Sequence, residues 1–455
     1  MAFELVIKNG TVVCPDRVIE KACIGVNGGK IAEISEQELE GAEVIDASGL
    51  HVFPGVVDPH THVGFANMPK EEFYHESQNA ALGGTTTMMI YMLQRGSYLE
   101  QHPGNRTLGD ANCMVDYLFH YSIADQKQLK EIPALVSEKG VASYKYFMTC
   151  RGAESVRLKL EAVDDGLLYN YFKTLGEAGA IPCVHCENME IYFSLSPALK
   201  EQGRDDLAAW DEARPSWAEA ESIFRAVFLA AKAGCPKIYI VHLSSKAGLK
   251  MIRMLRGMDL GIEILVETCP HYLILDTDCE AGINAKVNPP IRSREDCEAL
   301  WEGVCSGEIQ TIGSDHCVRG YEQKRGSIWL GLPGFIGTGN VLQLVLEYGY
   351  FRKNIPLTKI VELISENPAR IFGAYPKKGA IRVGSDADFA LVDMNRESVL
   401  TAKNNGSLAD LCVYEGMKVH ATPVRTVLRG KTVMLNGELK RIEDYGEYIP
   451  ASFGE

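Results

Sequence analysis

The run HVFPGVVDPHTH, residues 51–62, begins as an apolar strand and ends abruptly in polar residues. Seven further short apolar runs follow it: TTTMMIYM (85–92), DYLFHYSI (116–123), SYKYFM (143–148), IPCVHC (181–186), KIYIVHL (237–243), EILVETC (263–269) and QTIGSDH (310–316). Helix-like stretches such as DQKQLKEIPALVSEKG and WAEAESIFRAVFLAAKAG separate them. Strands that alternate with helices pair in parallel through crossovers. Continuous apolar character suits strands covered on both faces. Eight such units predict an α/β fold, a (β/α)8 TIM-type barrel. A doubly wound sheet is the alternative that the same pattern allows.

The flanks read differently. FELVIKNGTVVC places strand-like runs around an Asn9-Gly10 turn, and KACIGVNGGKIAEI places others around Gly28-Gly29. β character returns after residue 373 in GAIRVGSDADFALVD and in VRTVLRGKTVMLNGEL, with its Asn436-Gly437 turn. The simplest organisation joins both ends: residues 1–50 and 374–440 form a small β-sandwich, and 51–373 form the barrel. Residues 441–455 form a tail that includes YGEYIPASFGE. Its aromatic and apolar character suggests docking against a second subunit.

Composition narrows the function. The chain has 455 residues, 46% of them hydrophobic and 23% charged, which excludes disorder for its bulk. Its 46 basic and 60 acidic residues give a net charge of −14 with no basic stripe, so neither nucleic acid nor an anionic membrane surface is an expected partner. No apolar run approaches the ~20 residues of a spanning helix. The start, MAFELVIKNG, reads as a strand and a turn rather than an export signal, so the expected compartment is the cytoplasm. The 13 cysteines then read as reduced thiols used in packing.

Polar residues gather at the ends of the barrel strands, where barrel enzymes place their chemistry. His60 and His62 are two apart on one strand and share a face, so both can reach one borderline metal ion. His185, His242 and Asp315 close three other strands. Four histidines and an aspartate at matching strand ends are hard to explain as packing. Lys145 lies inside SYKYFM, an apolar strand with aromatic neighbours. Its amine either snorkels outward between helices or points inward. If it points inward, it must lose its proton or react with carbon dioxide to give an anionic carbamate able to bridge two ions.

The ordered set GVVDPHTH, ALGGTTT, SYKYFM, VHCEN, YIVHLSS, ETCPHYL, KVNPPIR, GSDHC and KKGAIRVGSDADFALVD resembles the amidohydrolase superfamily, in particular its cyclic-amide hydrolases: dihydropyrimidinase, hydantoinase and allantoinase. The resemblance spans nearly the whole chain. It implies two divalent metal ions, zinc by preference. His60 and His62 match the ligands of the more buried ion, and His185 and His242 those of the second. Lys145 matches the carboxylated bridging lysine, and Asp315 the aspartate that binds the first ion and shuttles the proton. A water shared by two such ions loses its proton near neutral pH and attacks an amide carbonyl. His271 and His316 fall near the barrel mouth as candidate supports for the ligands. The resemblance also implies a homotetramer.

Three positions depart from the hydantoinase pattern. Cys150 stands five residues after Lys145, where dihydropyrimidinases and hydantoinases carry a tyrosine that holds the substrate carbonyl; the Thr149-Cys150 pair is similar to allantoinases. Asn288 and Leu330 stand at the positions whose backbone contacts substrate in the family, where hydantoinases usually have Ser and Asn. Gly64 replaces the arginine with which dihydroorotase pairs a ring carboxylate, which argues for an uncharged ring. The expected substrate is a small cyclic ureide or imide, a hydantoin or dihydropyrimidine first, allantoin next and dihydroorotate after it. The alternative of another class is a non-catalytic relative of dihydropyrimidinase, a kind of protein that has lost metal ligands this chain keeps.

Overall fold

A computed structural model describes residues 2–64, 69–152, 155 and 163–453 of the chain. Five strands open it: β1 (Phe3–Val13), β2 (Val18–Asn27), β3 (Lys30–Ser35), β4 (Gly41–Asp46) and β5 (His51–Pro54). The barrel strands follow: β6 (Val56–His62), β7 (Thr85–Met92), β8 (Asp116–Ser122), β9 (Ser143–Phe147), β10 (Ile181–His185), β11 (Lys237–Ile240), β12 (Glu263–Thr268), β13 (Thr311–Ile312) and β14 (His316–Cys317). The C-terminal part adds β15 (Phe389–Asp393), the small pair β16 (Ser398–Val399) and β17 (Lys418–Val419), then β18 (Thr422–Leu428), β19 (Lys431–Leu435) and β20 (Glu438–Leu439).

Strands β6 to β13 run side by side in sequence order, every pair parallel, and β14 returns to β6. The apolar runs that predict the eight strands are nearly all fully buried, as strands inside a ring of helices must be. Val57, Met89, Tyr91, Cys183 and Tyr239 fill the barrel interior. The predicted eighth strand, 310–316, is split. Thr311–Ile312 pairs with Glu267–Thr268, and His316–Cys317 pairs with Thr61–His62. The break falls at Gly313–Asp315. A Cβ on Gly313 would lie 2.9 Å from Glu267 Oε2 and 3.0 Å from the His60 Cβ, so this crossing has room only for glycine.

The terminal strands make one nine-stranded sheet in the order β20-β19-β18-β15-β5-β1-β2-β3, with β4 on β1. It is antiparallel except where β1 runs parallel to β4 and β5. Its strands enclose a core of their own, including Ile7, Ile24, Val52, Phe389 and Val427, which forms the β-sandwich. Two predicted turns are present, at Gly28-Gly29 and Asn436-Gly437. The predicted turn at Asn9-Gly10 is not. β1 passes straight through it with a break in register, Asn9 taking a left-handed φ of 63° as a bulge. Both halves of the run continue along β2, and on the other edge they pair with β4 and β5 in turn, so the chain does not reverse here.

Barrel and sheet are locked by a buried charge cluster. The Lys378 ammonium bonds Asp116 at the start of β8, Asp388 at 2.7 Å and Asp386 at 3.0 Å, and Arg429 bonds the other oxygen of Asp116. The C-terminal tail packs against its own barrel and leaves Phe453 52% exposed. Tyr448 stacks on Phe119 at 5.4 Å, Ile449 joins the barrel core, and backbone bonds tie Ile449 to Tyr117, Ala451 to Gly140 and Ser452 to Gly373. The 13 cysteines are all free thiols and eleven are buried, including Cys183 and Cys186, three positions apart on either side of His185.

Candidate metal centre

The strand-end residues converge at the C-terminal mouth of the barrel. His60 and His62, two apart on β6, turn their Nε2 atoms to the same side. Each lies 3.2 Å from Asp315 Oδ1. These three side chains form a buried group whose donor atoms all lie within 4.8 Å of one another. His185 Nδ1 and His242 Nε2 face each other at 2.9 Å. Lys145 points inward and is fully buried, its Nζ 2.8 Å from His60 Nε2 and 4.4 Å from the centre of the Tyr91 ring. The outward, snorkelling alternative for this lysine is therefore excluded.

Backbone geometry helps to aim these groups. His242 (φ 41°) and Asp315 (φ 50°) sit in the left-handed region, which non-glycine residues adopt only under constraint from their surroundings. Asp58 supplies part of that constraint, its Oδ1 accepting the backbone N–H groups of His60 and Ser314 and so tying β6 to the split eighth strand.

Two carboxylates that the sequence reading did not single out set the ring orientations. Glu267 Oε1 lies 2.6 Å from His60 Nδ1 and accepts the His242 N–H at 3.0 Å, while Tyr239 donates to Oε2 at 2.9 Å. With Nδ1–H of His60 given to Glu267, its Nε2 lone pair is left for the cluster. Glu187 does the same for His185 from the other ring nitrogen, at 2.6 Å, and is itself held by Arg214 at 2.9 Å. His185 thereby offers Nδ1.

Burial decides the protonation states. It pushes His60 and His242 well below the usual imidazole range and His62 down to about 4, with the nearby Lys145 charge adding to the effect on each. Burial likewise lowers Lys145, against the pull of Asp315 and Glu267, and raises Glu267 to about 8. It also acts to raise Asp315, but the imidazoles of His60 and His62 outweigh it and hold this carboxyl below its ordinary value. The result is neutral imidazoles, an ionised carboxylate and a lysine pressed towards its neutral amine. That donor set fits a divalent cation, and a neutral lysine amine fits carbamate formation.

A cavity of about 130 Å³ opens onto this group, its wall including Thr149, Asn288, Cys317, Arg319, Pro333 and Gly334. Asn288, expected to meet substrate, reaches it. Thr149 reaches it as well, whereas Cys150 is buried behind that wall and is not part of the described lining. Leu330 is 79% exposed and borders a neighbouring cavity; the same loop enters this one through Pro333 and Gly334. His316 is buried 2.9 Å from Glu76, and His271 is packed against Phe335; neither lines the cavity.

Comparison with known proteins agrees with this geometry. The profile of the amidohydrolase family matches residues 241–433. The chain is 34% identical to a D-hydantoinase of Geobacillus stearothermophilus, over 97% of this chain and 95% of that one. It is also 34% identical to an allantoinase of Escherichia coli, over 95% of each. Among solved structures it superposes on the dihydropyrimidinase from Brevibacillus agri NCHU1002 with a TM-score of 0.89 at 29% identity, covering 99% of both chains.

Proposed function

Because the chain belongs to the amidohydrolase family, as a cyclic-amide hydrolase, we propose that it opens the ring of a hydantoin or dihydropyrimidine by hydrolysis, using two divalent ions held at the barrel mouth. What supports this most directly is the convergence of His60, His62, Lys145, His185, His242 and Asp315 in one buried group beside a cavity. In this reading His60, His62 and Asp315 would hold one ion, His185 and His242 would hold the other, and Lys145, as a carbamate, would supply anionic oxygens to both. Zinc suits imidazole and carboxylate donors and is the preferred metal. The carbamate forms when the neutral Lys145 amine adds to carbon dioxide and releases one proton.

When bound, two such ions ready a water for attack and polarise the scissile carbonyl. The chain's own groups do the rest. Asp315, ionised at neutral pH, accepts the proton of the attacking water and returns it to the ring nitrogen as the C–N bond breaks. Glu267 and Glu187 keep His60 and His185 in the tautomers that binding requires. Asn288 and the Pro333–Gly334 backbone orient the ring, and the apolar wall of Leu93, Phe147 and Val287 excludes bulk water.

Allantoin is the second reading. It is favoured by Thr149, which lines the cavity where, among the described residues, no phenol hydroxyl does. Metal analysis together with turnover of hydantoin, 5-substituted hydantoins, dihydrouracil, allantoin and dihydroorotate tests both. About two ions per chain and hydrolysis of a neutral ring support the proposal; no metal and no turnover would point to a non-catalytic relative. The homotetramer is tested by light scattering. Within the tail Tyr448 and Ile449 are covered by their own chain, and Phe453, 52% exposed, is the apolar group that a second subunit would cover.

A further inference from the structure

The cavity beside the metal centre contains a cation that the reaction does not use. Arg319 lines it two residues after β14, whose Cys317 pairs with His62 of β6, so it follows that pair by the same two residues as Gly64 does. Among the described residues its guanidinium makes one hydrogen bond, from Nη1 to the carbonyl of its own neighbour Val318 at 3.0 Å. Its Nε is buried without a partner, and no described carboxylate lies within ion-pair distance of it. The other arginines in the surrounding loops are paired: Arg214 with Glu187 at 2.9 Å and Arg292 with Asp211 at 2.6 Å. The Arg319 charge is felt at His62 and at Cys317, which places it close to the reacting end of the cavity.

A buried guanidinium N–H without an acceptor carries a desolvation cost that a ligand group can remove. The planar fork of arginine matches a carboxylate with two parallel hydrogen bonds. On the described wall Leu93, Phe147, Val287 and Pro333 are apolar, Thr149 and Asn288 are uncharged, and the one carboxylate, Asp315, is engaged with His60 and His62, so no described group on it neutralises that charge.

We propose that Arg319 is a specificity residue, and that the preferred substrate is a cyclic ureide whose ring substituent ends in a carboxylate. This rests on the cyclic-amide hydrolase reading and sharpens it. It also revises the expectation of an uncharged substrate, which considered only the cation missing at Gly64. The carboxylate meets Arg319 while the ring amide meets the metal centre, so the charge lies on the substituent and away from the bond that breaks.

The test compares two hydantoins of nearly equal size, 5-carboxymethylhydantoin and its amide, 5-carbamoylmethylhydantoin, with the zinc-loaded protein and with Arg319→Met and Arg319→Lys. The unmodified protein is expected to prefer the carboxylate by kcat/KM. That preference should fall roughly 10- to 100-fold in Arg319→Met, the worth of a hydrogen bond to a charged group, with partial recovery in Arg319→Lys. If the unmodified protein turns over the amide at least as well as the carboxylate, the inference is wrong and the hydrolase reading stands. If Arg319→Met slows both rings equally, Arg319 serves the carboxylate released at the scissile carbonyl, and the inference is again overturned. If neither hydantoin nor any other ring of the panel is opened, both readings fall.

Discussion

Glu267 holds His60 by its outer nitrogen, Oε1 to Nδ1 at 2.6 Å, and the same oxygen accepts the His242 N–H. One carboxylate thus steadies residues assigned to both ions. Replacing it with an amide of the same shape leaves one oxygen to accept from both groups that now share Oε1 and keeps the packing. Glu267→Gln is expected to weaken metal binding by roughly 10- to 100-fold, the usual effect of losing such a support. Competition with a chelator of known affinity measures it. Unchanged affinity would reduce Glu267 to a packing role.

Lys145→Ala should lose both metal and turnover, because the bridging group disappears and a gap opens between the two donor sets. A small carboxylate such as acetate can occupy that gap, so added acetate should restore part of the activity. Full metal content in Lys145→Ala, read by elemental analysis, would show that the ions do not need the bridge.

Lys378 is completely buried among Asp116, Asp386 and Asp388. Lys378→Met would leave three carboxylates that, among the described residues, keep Arg429 against Asp116 and the half-exposed Lys30 and Lys377 against Asp386. Breaking a buried ion pair by removing one partner costs about 3–5 kcal/mol. The urea midpoint should fall accordingly, with metal affinity at the barrel mouth little changed. A loss of metal affinity as large as the loss of stability would mean that the two ends of the barrel are coupled.

Much of this architecture is legible in the sequence, and the reasons are physical. A strand covered on both faces must be continuously apolar, so the eight runs stand out, and a polar residue closing such a run can face only the mouth. This is why His60, His62, His185, His242 and Asp315 are readable without coordinates. Glu267 is not, because a glutamate near the end of EILVETC looks like any solvated strand end. Lys378 and Asp116 lie 262 positions apart, and no local pattern joins them. Asn9-Gly10 has the composition of a turn, but the pairing of β1 with β4 and β5 overrides it. The tail has the composition of an interface, and only the fold reveals that its Tyr448 and Ile449 cover the chain's own barrel.

His102 provides a pH test far from the metal ligands. It is buried against Tyr121, Phe119 and Tyr448, and burial lowers its pKa to about 4, with Lys139 and Arg106 adding to the effect. In the unfolded chain an imidazole titrates near ~6.5. Between these values the unfolded chain binds a proton that the fold refuses, so stability rises with pH there, and acidification from 6.5 to 4 removes it. Below about 4 this histidine adds no further loss. His102→Gln should therefore flatten part of the dependence of the urea midpoint on pH across that window. An identical slope in the variant would assign the acid sensitivity to other groups.

The tail that seals the barrel also sets a timetable for biosynthesis. Lys30 bonds Asp386 across 356 positions, and Tyr448 lies on strands made more than three hundred residues before it, as its bond to Lys139 across 309 positions shows. Translation at about 5–20 residues per second leaves the N-terminal strands without their partners for tens of seconds. β1 to β5 must therefore persist on the nascent chain as an incomplete sheet with an open edge until β15 has been made, and the barrel floor closes only once Tyr448 and Ile449 have joined it.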